Sequence, residues 1–155
     1  MTKTIVKEWV TEEGFKAKIA RIDSYETWVC GYVGVPRTHP LFNVPYSGHS
    51  PYTKMPEKEM VGKRGSIELF LMACRGEDEP SCVYDFFDVH GSLTFSDFWE
   101  GEEQDFWYFG FDCHHAGDSY DVQNERYAKQ ECLSLSRQLK ERVDEKTFVD
   151  FYKED

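Results

Sequence analysis

One run constrains this chain more than any other. Phe106-Trp107-Tyr108-Phe109-Gly110 reads as a buried strand, and Phe111-Asp112-Cys113-His114-His115-Ala116-Gly117-Asp118 sets two histidines, two aspartates and a thiol where that strand must end. Groups at a strand end are held by a rigid scaffold yet can face a ligand, so binding and catalytic side chains concentrate there.

Strand alternation divides the run into two faces. Trp107, Phe109, Phe111 and Cys113 share the face expected to meet the core, and Phe106, Tyr108, Gly110 and Asp112 share the other. Gly110 leaves a gap beside Asp112 of the kind that admits a ligand or a close backbone. Upstream, residues 87–96 alternate in the same way. Phe87, Val89, Gly91, Leu93 and Phe95 fall on one side, and Asp88, His90, Ser92, Thr94 and Ser96 on the other, which predicts a half-buried strand. If the two strands form a hairpin across the acidic turn 97–105, their polar faces coincide. His90, Ser92, Thr94, Tyr108 and Asp112 then line one wet face, with His115 and Asp118 at its end.

The rest of the chain supplies a frame for that pair. Residues 15–22 and 27–35 are apolar runs around Asp23-Ser24-Tyr25-Glu26, the pattern of a hairpin with a four-residue turn, and are read as the first two strands. Residues 36–65 hold five of the six prolines and little periodicity, which predicts a long loop or lid with a short helix near 57–60. Residues 66–73 are too short to class as strand or helix by period. From Asn124 to Arg142 the spacing of Ala128, Cys132, Leu135 and Leu139, continued by Val143, predicts an amphipathic helix, after which Phe148 and Phe151 dock the tail. The expectation is one α+β domain over residues 1–155: a mainly antiparallel sheet, a C-terminal helix on one face and a long Pro-rich loop.

Charge narrows the partners. A net charge of −11 argues against wrapping a phosphate backbone, because that affinity comes from Lys and Arg displacing counterions. The loop 36–65 is the exception, at +3 with Arg37 among its cations, leaving −14 elsewhere. A small anionic molecule is therefore expected to be met there, by Arg37 and His39 together with loop cations, with Trp28, Tyr32 or Tyr108 offering ring faces to a base. The five cysteines are odd in number and form no CxxC pair, and residues 1–8 are too polar for a secretory signal, so reduced thiols in the cytoplasm are expected. No apolar run approaches the roughly 18 residues needed to span a bilayer. Homo-oligomerisation is compatible with the sequence and not specified by it.

Several chemistries compete for the cluster. A metal would need His90, Asp112 and His114 or His115, completed by Asp118 or His39; adjacent strand residues diverge, the spacing is not diagnostic, and no metal or cofactor is assigned. Cys113 falls on the core face, where a thiol is inert. Ala116-Gly117-Asp118 predicts a tight turn with Gly117 at positive φ, and Asp118 has the alternative of capping the segment after it. His90 has the alternative of an ordinary surface histidine, and His49 that of a solvated loop residue. Neither a Walker loop nor GxGxxG occurs.

Three segments carry a resemblance: residues 30–40, with Cys30-Gly-Tyr-Val-Gly-Val-Pro36 and His39-Pro40; Val89-His90-Gly91-Ser92-Leu93-Thr94-Phe95; and residues 107–118 with the helix 127–139. In this order they resemble a family of small bacteriophage and prophage proteins with motifs close to HGGLT and WWFGFDCAHAGD. Ser92 stands where the pattern has a second glycine and His114 where it has alanine, so the motif histidine maps to His115. The resemblance implies a phage-type protein. The leading expectation is a non-enzymatic pocket that sequesters a nucleotide-type host defence signal, using His90, Ser92, Thr94, Tyr108, Asp112, His115, Asp118, Arg37 and His39. Two rivals stand beside it: a hydrolase of a phosphorylated or nucleotide substrate, with His90 or His115 as acid or base and Asp112 orienting it or binding a metal, and an acidic protein-binding inhibitor that mimics nucleic acid.

Overall fold

The computed structural model describes residues 1–53 and 82–143. The expected features at 57–60, 66–73, Phe148 and Phe151 lie outside them. Among the described residues five antiparallel strands, one α-helix and a 3-10 turn (Val83–Phe86) make an α+β fold: β1 (Thr2–Val10), β2 (Lys16–Asp23), β3 (Thr27–Pro36), β4 (Phe95–Asp97), β5 (Phe106–Asp112) and α1 (Glu125–Glu141), with sheet order β1-β2-β3-β5-β4. β2 and β3 form the expected hairpin. Asp23 pairs with Thr27, so three residues rather than four turn the chain, and Thr27 Oγ1 donates to Asp23 Oδ1 at 3.1 Å.

β1 is an addition to the sequence reading, which began the sheet at residue 15. Its residues are nearly all exposed, so the strand shows neither an apolar run nor a clean alternation. What makes it a strand is its ladder to β2, interrupted by a bulge at Val6 where Ile5 pairs Ala20 and Lys7 pairs Ile19.

α1 packs on β2 and β3 through Ala128, Cys132, Leu135 and Leu139, all fully buried, and Asn124 caps its N-terminus by accepting the Tyr127 N–H at 3.2 Å. Trp107, Phe109, Phe111 and Cys113 belong to the same core cluster as this helix face, as alternation predicted. Gly31 permits this approach: a Cβ there would overlap the Phe111 ring and lie 2.8 Å from Cys132 Sγ.

The other sheet face is a second apolar cluster of Ala20, Ile22, Cys30, Tyr32 and Tyr108, covered in part by Trp99. Here the expected wet face and open gap are corrected. The Tyr32 ring lies across Gly110, whose Cβ would sit 2.6 Å from it, and the Tyr108 ring lies across Gly34, whose Cβ would sit 2.7 Å from it. Each tyrosine thus covers the glycine opposite it in the β3–β5 register. Tyr108 is fully buried and donates to Glu102 at 3.0 Å. Glu102 in turn bonds the buried Lys18 at 2.6 Å, so the turn 97–105 is not merely solvated. Burial pulls the Lys18 ammonium down, but Glu102 and Glu8 outweigh it and hold it above its ordinary value.

The predicted strand 87–96 shrinks to Phe95–Asp97. Phe87, Val89 and Leu93 are buried as the alternation required, but over residues 86–90 the backbone finds its partners on side chains of the helix and its C-cap, and only at Thr94, whose N–H donates to the Gly110 carbonyl at 2.9 Å, does it meet β5. Gln138 accepts the Asp88 N–H at 2.7 Å and donates to the Asp88 carbonyl at 2.8 Å, Glu131 accepts the His90 N–H at 2.7 Å, and Arg142 donates to the Phe86 carbonyl at 3.1 Å. Gly91 and Ser92 then turn the chain at φ 67° and 72°, and this reversal delivers Phe95 to the opposite sheet face. Gln138→Leu should lower stability by about 2 kcal/mol, because it strands both Asp88 backbone groups. Urea denaturation checks this, and a loss under about 0.5 kcal/mol would mean that water replaces the amide.

Candidate functional site

The end of β5 and the Gly91-Ser92 turn meet in one cluster. β5 stops at Asp112, so alternation no longer governs His114 and His115. The two histidines separate. His114 stacks flat on Trp28, with centroids 3.8 Å apart and planes 6° apart, and bonds Glu26 at 2.5 Å. His115 turns instead toward His90, its ring lying against the Gly91 Cα where any Cβ would overlap Nε2. That is the histidine singled out by the motif.

Two imidazole–carboxylate pairs result. His90 Nε2 lies 2.8 Å from Asp118 Oδ2, and His90 Nδ1 lies 2.8 Å from the Tyr127 hydroxyl. A carboxylate only accepts, so the network assigns the proton to Nε2 and leaves Nδ1 to accept from Tyr127. Across from it, His115 Nε2 stands 3.3 Å from Asp112 Oδ1, and Thr94 Oγ1 donates to Asp112 Oδ2 at 3.1 Å. The ring centroids of His90 and His115 are 5.8 Å apart.

Asp118 joins the halves. The 115–118 turn closes with the Asp118 N–H on the His115 carbonyl at 2.9 Å, with Gly117 at φ 89° as expected, and Asp118 Oδ2 accepts the His115 N–H at 2.9 Å. Burial pushes the Asp118 carboxyl up, but the bonds from His90 and His115 outweigh it and hold it below the usual carboxylate range. The helix cap is Asn124, not Asp118. His90 is likewise not an ordinary surface histidine, its side chain being only 16% exposed, whereas that of His115 is 38% exposed.

Of the nine predicted ligand residues, His90, Thr94, Asp112, His115 and Asp118 converge, and Ser92 forms the turn beside them. Tyr108, Arg37 and His39 do not. Tyr108 shares the Asp112 face of β5 but lies four residues back along the strand, enclosed in the second apolar cluster. Arg37 follows Pro36, which pairs with Phe106 at the opposite end of β5, about 20 Å from Asp112 at strand rise; it faces Asp105 at 3.5 Å. His39 is buried, bonded to the Leu139 carbonyl at 2.7 Å and to the Leu41 N–H at 3.0 Å. The converging groups therefore bring imidazoles but no Arg or Lys.

Cys113 is buried as predicted, and burial pushes its thiol up to about 12. Among the described residues no three His, Cys, Asp or Glu side chains converge to hold a metal ion, and the completing role considered for His39 is ruled out by its position. Sequence reasoning missed Tyr127 and Glu131. Their signal was position: four apart, they flank the apolar stripe of α1 on the side facing residues 86–90.

Concavity lies elsewhere. A groove of about 410 Å³ runs between Lys3 and Ile5 of β1 and residues 95–100, and another of about 250 Å³ lies near Glu8, Lys16 and Lys18. Neither touches His90 or His115, and the charged groups of the second are paired with one another, Lys18 with Glu8 and Glu102. Among the described residues no helix is long and apolar enough to cross a membrane. Comparison of the chain with protein-family models, with curated proteins and with solved structures returned no match.

Proposed function

We propose that the protein is an acid–base enzyme acting on a small polar molecule, with hydrolysis as the reaction class. The supporting observation is that two imidazoles face each other at 5.8 Å, each with its own carboxylate. His115, the more exposed, transfers the proton and Asp112 orients it. His90 is held on both ring nitrogens and positions the opposite wall through Asp118 and Tyr127. The two rings are in tilted contact at 56°, so a reacting group would be met at their solvent side, where His115 is the more exposed. Because the converging groups offer a substrate imidazoles rather than Arg or Lys, a phosphomonoester or cyclic phosphate fits better than a polyphosphate. The phage-type resemblance and the free cysteines, Cys30, Cys82, Cys113 and Cys132, accompany a cytoplasmic location.

A second reading has its own support. The Trp28–His114 stack beside the exposed Tyr25 offers an aromatic platform next to Asp112, suited to a nucleobase. On that reading the protein captures a nucleotide-type signal without changing it.

One experiment separates the two. The protein is incubated with phosphomonoesters and with cyclic and adenine nucleotides, and the ligand is released by heat and identified. Altered product indicates the enzyme, and ligand recovered intact indicates capture. For the enzyme, His115→Asn should lower kcat about 100-fold with the melting temperature unchanged. For capture, Trp28→Ala should weaken affinity about tenfold through lost stacking. Turnover that survives His115→Asn would remove the acid–base assignment.

A further inference from the structure

We infer that β1 is a self-complementary edge through which two copies of the chain pair antiparallel into one continuous sheet. Among the described residues β1 ends the sheet, and no strand pairs with its outer side. Four of the seven exposed large apolar side chains of those residues lie on it or at its start: Met1, Ile5, Val6 and Val10. An unpaired edge nine residues long is a template for strand addition.

The occupant is identified by the strand's own sequence. Because β1 pairs Ile5 with Ala20 and Lys7 with Ile19, residues 3, 5, 8 and 10 share one face while 2, 4, 7 and 9 share the other, and Val6 is the bulge. In a two-fold antiparallel pair, paired positions sum to a constant, and both members must lie on the same face. Without a bulge the sum must be even, and a sum of ten would set Lys3 against Lys7. The bulge changes parity once in each strand, so a sum of eleven becomes face-consistent. Lys3 then meets Glu8 of the second copy, Ile5 meets Val6, Met1 meets Val10, Thr4 meets Lys7 and Thr2 meets Trp9.

Met1, Ile5, Val6 and Val10 thereby each gain an apolar partner, and the Lys3–Glu8 pair occurs twice by symmetry. Glu8 is 61% exposed on its side chain and also contacts Lys18, and Lys3 lies over Tyr32 and Trp99 at 5.0 and 5.1 Å, so in the pair each side chain turns outward from a contact within its own copy. The same lysines and bulge that discourage indiscriminate pairing leave this register matched.

Sedimentation equilibrium of the whole chain between about 1 and 200 µM, a span chosen to bracket ordinary dimer affinities, tests the proposal. Wild type should approach twice the chain mass. Lys3→Glu and Glu8→Lys should each weaken self-association about tenfold or more, because each sets like charges opposite twice. An equimolar mixture of the two variants should restore the dimer as a heterodimer, since positions 3 and 8 then again carry opposite charges across the pair. A wild type that stays monomeric throughout overturns the proposal, as does a dimer indifferent to Lys3→Glu. Should Glu8→Lys fail to fold, hydrogen exchange on wild type decides the matter: β1 amides should gain protection with concentration, and protection independent of concentration overturns the pairing.

Discussion

Acidification from pH 6.5 to 4 should remove about 3 kcal/mol of folding stability through His39 alone. His39 is 7% exposed, its Nε2–H donates to the Leu139 carbonyl, and its Nδ1 accepts the Leu41 N–H. The Leu41 bond needs the neutral ring, because protonation would set a second N–H against the Leu41 donor, whereas the Nε2–H bond to Leu139 survives protonation. Burial pulls the imidazole down to about 4, although the Leu139 carbonyl pulls the other way. In the unfolded chain the ring titrates at its ordinary 6.5. The folded state therefore binds fewer protons between these values, so stability is full above 6.5 and falls as pH drops toward 4. Urea midpoints for wild type and His39→Gln, measured across that window, test this. The variant should lose the slope, and equal slopes would place the acid sensitivity elsewhere. Asp118 and Glu102, both held below the usual carboxylate range, contribute fully above their ordinary values of 3.8 and 4.5 and lose that contribution as pH falls below these through the lowered folded values, so Glu102 adds to the loss only at the acid end of the window.

Gly31→Val should cost about 3 kcal/mol. The new side chain enters where Phe111 and Cys132 already close the space, and both are essentially fully buried, so neither can swing into solvent. The response is a lifted helix or a displaced strand. Cys132→Ala removes the Sγ that stands 2.8 Å from the added Cβ, so combining it with Gly31→Ala should be less damaging than the sum of the two. Guanidinium denaturation of wild type, both single variants and the double variant measures the coupling. An additive cycle would show that the helix yields without strain.

The elements legible in sequence were those whose hydrogen bonds and hydrophobic faces agree. β2, β3, β5 and α1 all show their burial in their periodicity. Residues 87–94 show the limit of that reading, since alternation reports which side chains enter the core and not what bonds the backbone. Gln138 and Glu131 supply those bonds from a helix 50 and 41 residues away in sequence. β1 was invisible for the opposite reason: it is a strand by pairing and buries almost nothing. At the site, His90, Thr94, Asp112, His115 and Asp118 could be proposed together because their two segments border one end of the sheet. Tyr108 was misplaced because β5 is covered on both sides, and Arg37 and His39 because loop residues carry no register from which to judge their distance. The pairing of His115 rather than His114 with His90 follows from where β5 ends.

The two walls of the site hang from different bodies. Asp112 and His115 extend from β5, while His90 is held by Tyr127 and Glu131 of the helix. The separation of the imidazoles is therefore a gauge of how deeply the helix is seated on the sheet. On the proposed acid–base reading, a residue outside the site, such as Gly31, can then set the reach of the proton transfer, and a molecule that bridges the two rings would clamp the helix down as it binds.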